Sequence, residues 1–341
     1  MDSVTQAALG AAVAVAVMGK STSVKKAALW GAVAGTLPDL DVFWNFGDDL
    51  SNMLRHRGES HAFFYQTLFS PLLAWLICRW HQQPALFLRW WLAIWLVLIT
   101  HSLLDTFTTY GTQLALPFSD YPFALESVFV IDPLYTLPLL IGVALAWRLP
   151  GRSLVYNQLG LLLSSLYLGW GLAAQQWVLW QLDTLHPELT HYERLVQPTA
   201  LNTLVWRIVV MDQDGYREGF YALNDGTTPI EFRQHAFPEQ AQALSQLPAA
   251  RELTRFSHGF VGYFQRGQLL TMADLRMGMQ GNYAFEFSLA CQQGTEVEPI
   301  AVVQLDKPYQ MLEMWTWAFR RFWLDTKPLS AITVRNQPDC T

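Results

Sequence analysis

Hydrophobic and polar positions follow two different rules along this chain. Through residues 1–185 they form long, nearly unbroken apolar runs, and after residue 190 they alternate with period two. A helix that crosses a bilayer needs about 20 mainly apolar residues, and the first regime supplies about six candidates. "VTQAALGAAVAVAVMG" comes first; it follows Asp2 without the basic segment of a secretory signal, so it is expected to stay as a membrane helix whose small residues permit close packing. "ALWGAVAGTL" is short and is read as its hairpin partner, ending at Pro38. The remaining four are "AFFYQTLFSPLLAWLICRW", "LFLRWWLAIWLVLITHSLLDTF", "DPLYTLPLLIGVALAWRL" and "LVYNQLGLLLSSLYLGWGLAAQQWVLWQL".

In the second regime "TLVWRIVVMD", "GYREGFYALND" and "NYAFEFSLACQ" read as strands separated by the turn signals "DQDG" and "NDGT". "YQMLEMWTWAFRRFWLD" reads as an amphipathic helix that caps the sheet or rests on the bilayer. The expected fold is therefore mainly α. A polytopic membrane helix bundle spans residues 1–185, and a small extramembrane α+β domain spans residues 186–341. Composition agrees: 52% of residues are hydrophobic and 15% charged, where a soluble domain carries about 25% charged residues. A net charge of -6 without a basic run argues against a nucleic-acid partner. Cys78, Cys291 and Cys340 match no zinc-knuckle spacing. Cys291 and Cys340 either pair in an oxidising compartment or stay as free thiols, and free thiols are the expectation.

Charge asymmetry orients the bundle. Lys20, Lys25, Lys26, Arg79, Arg89, Arg148 and Arg152 fall on one side of a six-span arrangement, against Arg55 and Arg57 on the other. By the positive-inside rule the N-terminus and the carboxyl-terminal domain then lie on the outer face. Trp80, Trp90, Trp91 and Trp147 mark the inner interface as an aromatic belt.

This topology gathers ionisable residues at the outer ends of the spans. Pro38 ends the second run and presents Asp39 and Asp41; "HRGESH" places His56 and His61 before the third; His101 and Asp105 sit at i and i+4 on one face of the fourth; Asp132 opens the fifth. Ionisable groups at membrane depth are costly and read first as functional. Three histidines and four carboxylates at one depth call for a cation, and mixed imidazole and carboxylate ligands suit Zn²⁺, Mn²⁺ or Fe. Seven candidates exceed the ligands of one catalytic zinc, so one or two ions are expected, with Asp105 as the natural bridge. Simpler readings stand beside these: Asp132 before Pro133 as an N-cap, Asp39 and Asp41 as a solvated helix end, and Arg55 and Arg57 as anchors on lipid headgroups. His81, His186, His191, His235 and His258 have no partner pattern and read as structural.

"GTLPDLD", "HRGESH", "HSLLDTFTTYG" and "VIDPLY" together resemble the family of membrane-bound metal-dependent hydrolases, also described as LexA-binding, inner-membrane-associated hydrolases. The resemblance covers about residues 1–180, and "NTLVWRIVV", "FSHGF" and "DLRMG" resemble the carboxyl-terminal extension of one bacterial branch. It implies a helical metal site distantly similar to zinc-dependent phospholipase C and single-strand nucleases. By motif it assigns Asp39, Asp41, His56, His61, His101 and Asp105 to metal; Asp105 and Asp41 are expected to serve the chemistry, and Glu59, standing where relatives commonly carry small or aromatic residues, adds a candidate acid/base or ligand. Arg55 and Arg57 would bind the substrate. Gln6 stands where many relatives carry a histidine; it is a poor zinc ligand, and Asp2 could take that place. The implied function is hydrolysis of a phosphoester in a lipid or envelope substrate at the outer face of a bacterial inner membrane. The alternative is a metal-stabilised scaffold or transporter whose outer domain binds a partner. Binding LexA would require more cytoplasmic surface than the short basic loops of this topology offer.

Overall fold

A computed structural model describes residues 1–294, 296–305, 311–324 and Cys340. It divides into two compact units, residues 1–44 with 55–173 and residues 45–54 with 174–341. The division falls inside a helix, not at the expected 185/186 boundary. It also assigns residues 45–54, which lie between Asp41 and His56, to the carboxyl-terminal unit.

The N-terminal unit is helical because its runs offer apolar residues on most faces. Its helices are α1 (Ser3–Met18), α2 (Val24–Thr36), α4 (Phe63–Trp80), α5 (Phe87–Thr106), α6 (Pro133–Arg148) and the first part of α7 (Ser153–Leu185), while α3 (Asp49–Arg55) lies mainly in the other unit. Short 3₁₀ turns at Pro38–Phe43 and Glu59–His61 follow α2 and precede α4. Helix α1 is the core: Ala12, Ala14, Val15 and Met18 are fully buried, packed with Trp90, Ala93, Ile94 and Val97 of α5. It approaches α2 backbone to backbone, since a Cβ on Gly10 would stand 2.2 Å from Gly31 O and one on Gly35 2.6 Å from Gln6 O. Small residues permit this contact, which brings side chains of α1 and carbonyls of α2 to one place.

The expectation of about six spans is not met helix by helix. Among the described residues, Pro84–Thr106 alone has both the length and the apolarity to cross a bilayer. Asp49–His61 and Phe63–Trp80 qualify only together and are bent by 55°. At 16 residues, α1 and α6 are each about 24 Å long, and α2 has 13 residues beginning beside Lys25 and Lys26. Helix α7 is long enough, but Asn157, Gln158, Gln175 and Gln176 interrupt its apolar character. Trp90, expected in an interfacial belt, is wholly buried, whereas Trp80 and Trp147 are exposed.

The carboxyl-terminal unit is built on two antiparallel sheets. One runs β1 (Arg194–Pro198), β2 (Val205–Asp212), β3 (Gly215–Ala222), β4 (Phe232–Ala236) in that order. The helices α8 (Ala241–Leu244) and α9 (Pro248–Phe256) lead to β5 (Val261–Arg266), β6 (Leu269–Asp274), the ribbon β7 (Gly278–Met279) and β8 (Asn282–Tyr283), then β9 (Glu286–Gln293) and β10 (Glu296–Pro299). The second sheet has the order β10-β9-β6-β5. Ala174, Val178 and Leu182, late in α7, pack on Val196, Trp206, Ile208 and Tyr221 of the first sheet. Helix α10 (Met311–Leu324) lays Trp317 against Phe220 and leaves Phe319 and Trp323 exposed, so it covers the sheet with one face. Residues Tyr309, Gln310 and Asp325 of the expected helix lie outside the described residues. Cys291 and Cys340 form a disulfide. This corrects the free-thiol expectation, because the fold brings together two cysteines 49 residues apart in sequence.

The glycine contact makes a direct expectation. Gly31→Leu should unfold or grossly lower the yield of the protein, the overpacking cost exceeding the usual ~1–3 kcal/mol because the neighbour is backbone. Gly151→Ala, whose added methyl would have nothing within 4 Å, should leave thermal stability in detergent unchanged.

Candidate metal centre

The two 3₁₀ turns and the end of α5 carry the centre. Pro38 starts the first turn with its fixed φ, and Asp39 follows in a backbone that turns it inward. His61 closes the second turn, and α4 starts two residues later. His101 and Asp105 project from one face of α5, one turn apart and fully buried.

One donor atom from each of Asp39, His61, His101 and Asp105 lies within 4.8 Å of all the others. The edges are short and even. His61 Nε2 is 3.1 Å from His101 Nε2, 3.4 Å from Asp39 Oδ1 and 3.2 Å from Asp105 Oδ2. His101 Nε2 is 3.5 Å from Asp39 Oδ1 and 3.4 Å from Asp105 Oδ2. Nitrogen and oxygen ligands about 2.0–2.1 Å from a tetrahedral ion stand about 3.3–3.4 Å from one another. The five edges match that figure.

Hydrogen bonds fix which ring nitrogens face inward. His101 Nδ1 lies 2.7 Å from Gly35 O, a carbonyl that can only accept, so Nδ1 carries the proton. Ser60 Oγ donates to Asp41 Oδ2 at 2.6 Å and therefore accepts from His61 Nδ1 at 2.8 Å. With both rings neutral, their Nε2 lone pairs would point at each other and at two carboxylates. Asp105 Oδ2 and Asp39 Oδ2 are buried with no hydrogen-bond donor among the described residues. Four electron-rich groups so arranged repel one another, and a cation between them removes the repulsion. The residues fit a metal ion. Without an ion, Nε2–H groups of His101 and His61 would serve Asp39 instead, and these hydrogen bonds outweigh its burial and hold its carboxyl well below the usual range. Asp41 is held low in the same way, by His56 and His61 against its burial.

Other site candidates are placed as follows. Asp41 Oδ1 accepts from His56 Nδ1 at 2.7 Å, and its Oδ2 accepts from Arg57 N at 3.0 Å as well as from Ser60. Expected as ligands, Asp41 and His56 thus lie outside the four-residue cluster and bind each other beside it. Arg57 takes a left-handed φ of 63° and is buried; its guanidinium donates to Thr108 Oγ1 at 3.1 Å, lies 3.4 Å from Asp105 Oδ1 and stacks on Tyr110. Arg55 and Glu59 form an exposed i, i+4 pair. Asp2 N-caps α1, and Asp132 N-caps α6 while accepting from Tyr167 Oη at 2.7 Å. Gln6, marked in the sequence only as a missing histidine, donates through Nε2 to Asp105 Oδ1 at 2.9 Å and to His101 O at 3.2 Å. The amino group of Met1 also pairs with Asp105 Oδ1. Ser60, which the sequence did not single out, ties Asp41 to the ligand His61, and its position inside "HRGESH" was the available signal.

Residues 1–178, just over half the chain, match the model of the YdjM inner membrane protein family. The chain belongs to that family. All four cluster residues fall within the matched region, and membership supports an inner-membrane location. The chain is similar to the uncharacterized protein YfhP of Bacillus subtilis (strain 168), with 23% identity over 79% of this chain and 83% of that protein. It is also similar to the inner membrane protein YbcI of Escherichia coli (strain K12), with 34% identity over 24% of this chain and 46% of that protein. No solved structure matches.

Full-length protein purified in detergent should hold about one transition-metal ion per chain by elemental mass spectrometry. His61→Ala and Asp105→Ala should reduce it to background, and His56→Ala should retain it. Ser60→Ala, which frees the His61 ring from its orienting partner, should weaken metal affinity about 10–100-fold. Equal metal loss in His56→Ala and His61→Ala would contradict this assignment.

Proposed function

We propose that this inner-membrane protein is a metal-dependent hydrolase acting on a phosphoester in a lipid or envelope substrate. The observation that carries this reading is the convergence of two Nε2 lone pairs and two carboxylate oxygens at tetrahedral spacing. Asp39, His61, His101 and Asp105 would hold the ion. Zn²⁺ fits the nitrogen-oxygen donor set and the spacing first, and Mn²⁺ second. When bound, such an ion lowers the pKa of a coordinated water towards about 7 and polarises a phosphoryl oxygen.

The chain's own residues supply the rest. Asp41 fixes the His56 ring through Nδ1, which leaves Nε2 as the atom that takes up a proton from the attacking water and returns it to the leaving group. Arg57 holds Asp105 Oδ1, and Gln6 shares that oxygen, so Oδ2 stays free for the ion. Among the sequence's candidates for contact with the substrate phosphate, Arg55 is the exposed one; its pair with Glu59 is at the surface and exchangeable. The resemblance noted in the sequence supports hydrolysis, and the choice of a phosphoester rests on it.

A second reading, a structural metal centre in a scaffold, is favoured by one observation. Four protein donors gathered within 4.8 Å of one another are enough to fill a zinc shell, and closed four-ligand shells are typical of structural zinc. The Asp41–His56 pair favours hydrolysis, since a purely structural ion has no use for an oriented imidazole at its flank. Metal-reconstituted protein should hydrolyse a phosphodiester probe, and His56→Ala should reduce kcat about 10²–10⁴-fold while keeping the metal. Chelation that unfolds the protein, with no hydrolysis by the loaded form, would establish the structural reading instead.

We further propose that about six segments lie in the membrane, with the carboxyl-terminal unit on the outer face. The Lys and Arg asymmetry supports this orientation, and so does the Cys291–Cys340 disulfide, since such bonds persist in oxidising compartments. A periplasmic-active phosphatase fused after residue 190 should be active in cells. Cytoplasmic labelling of that fusion would reverse the orientation.

A further inference from the structure

Beside the metal centre, the N-terminal unit contains a cavity of about 440 Å³, within the usual range of about 300–1,000 Å³ for small-molecule sites. Leu37, Pro38, Tyr65, Phe69 and Leu98 form apolar walls. The cavity adjoins the centre through the chain itself: Pro38 precedes Asp39, and Ser60, which also lines it, precedes His61. Ser60 and Gln66 of its polar lining belong to the frame of the site, while Glu59 pairs with Arg55 at the surface. Ser60 Oγ joins Asp41 to His61, and Gln66 Nε2 donates to Ser60 O at 2.9 Å and to Ser102 Oγ at 2.6 Å. The walls are mainly apolar, and Gln66 Oε1 and the Glu59 carboxylate add hydrogen-bond acceptors to them.

The far wall shows where such an occupant comes from. Phe64, Leu68, Phe69, Leu72, Trp75 and Leu76 make an outward apolar face of α4, each between 41% and 62% exposed. In an inner-membrane protein an apolar helix face of this kind is covered by lipid hydrocarbon. Phe69 belongs both to that face and to the cavity wall, so the cavity continues the lipid-covered surface. Its other end is walled by the chain neighbours of two metal ligands.

We propose that this cavity seats one acyl chain of a membrane lipid and so delivers that lipid's ester end to the metal centre. This rests on the hydrolase reading and narrows its substrate to a bilayer lipid. Leu37, Phe69 and Leu98 then set the accepted chain length, since a pocket wall discriminates by the methylenes it can cover.

The test uses the full-length protein in vesicles of phosphatidylglycerol doped with a phosphatidylglycerol that carries a diazirine at mid-chain. After irradiation, peptide mass spectrometry should find adducts at Tyr65, Phe69 and Leu98. Leu98→Trp and Leu37→Trp fill the cavity from two different elements, and retained metal in either shows that the centre is intact. Adducts should fall about tenfold in both, and the preference for a long-chain over a short-chain phosphodiester should fall by a similar factor. Adducts spread along the outer helix faces, unchanged by either substitution, would overturn the cavity as the chain site even if metal-dependent turnover is found. Cavity adducts with no turnover of either substrate would uphold the chain site and refute the hydrolase.

Discussion

Two imidazole nitrogens 3.1 Å apart, His61 Nε2 and His101 Nε2, with two carboxylates beside them, set the terms for this structure. Neither His61 nor His101 can relieve the contact by changing tautomer, because Gly35 O and Ser60 Oγ hold the opposite ring nitrogens as donors. Nor is the His101 ring free to swing away, since it is fully buried and its Nδ1 is held by Gly35 O. Asp39 and Asp105 add negative charge at the same point. A buried polar group costs free energy unless it is paired, and for charges the cost is larger. The arrangement makes physical sense around a cation.

The rest of the N-terminal unit serves that point. The glycine contact between α1 and α2 is the means by which two backbones reach it. Gly35 sits against Gln6 O, its own carbonyl orients His101, and Gln6 reaches Asp105 and the His101 carbonyl. A larger residue at Gly10, Gly31 or Gly35 would therefore move two groups that hold the ligands in place along with the helices. Arg57 plays the same part from the other side. Its left-handed backbone lets one residue give its N–H to Asp41 and its guanidinium to Thr108 and the neighbourhood of Asp105. Burial takes it out of the exposed role that its neighbour Arg55 keeps.

Much of the centre was legible in the sequence because its chemistry is written in residue types that are expensive in an apolar setting. His101 and Asp105 were readable from helical spacing alone, and Asp39 from the proline before it. The helical first half and the strand-rich second half followed from the change in hydrophobic period. What stayed hidden depended on tertiary contacts. Nothing in "HRGESH" tells that His61 turns inward while His56 turns to Asp41, since a 3₁₀ turn and a positive φ at Arg57 decide the two directions. Asp2 and Asp132 look like spare ligands until the N–H groups they cap are in view. The disulfide joins cysteines that no local pattern relates, and among the described residues only Pro84–Thr106 has by itself the length and apolarity of a span.

The four protein ligands differ in one respect that bears on how the centre could serve chemistry. His61, His101 and Asp105 are fully buried, and the last two are locked in α5. Asp39 alone is partly exposed, with 16% of its side chain accessible, and it stands on a short 3₁₀ turn between α2 and the excursion of residues 45–54 into the carboxyl-terminal unit. Short turns yield more readily than a packed helix, so Asp39 is the ligand that can loosen at least cost. Its neighbour Pro38 forms part of the cavity wall. Should an ion bind, Asp39 would be the ligand most readily exchanged, and it adjoins the cavity through Pro38. A four-residue metal cluster and the proposed hydrolysis are compatible on this geometry, because the most exposed of the four residues follows directly on a residue of the cavity wall.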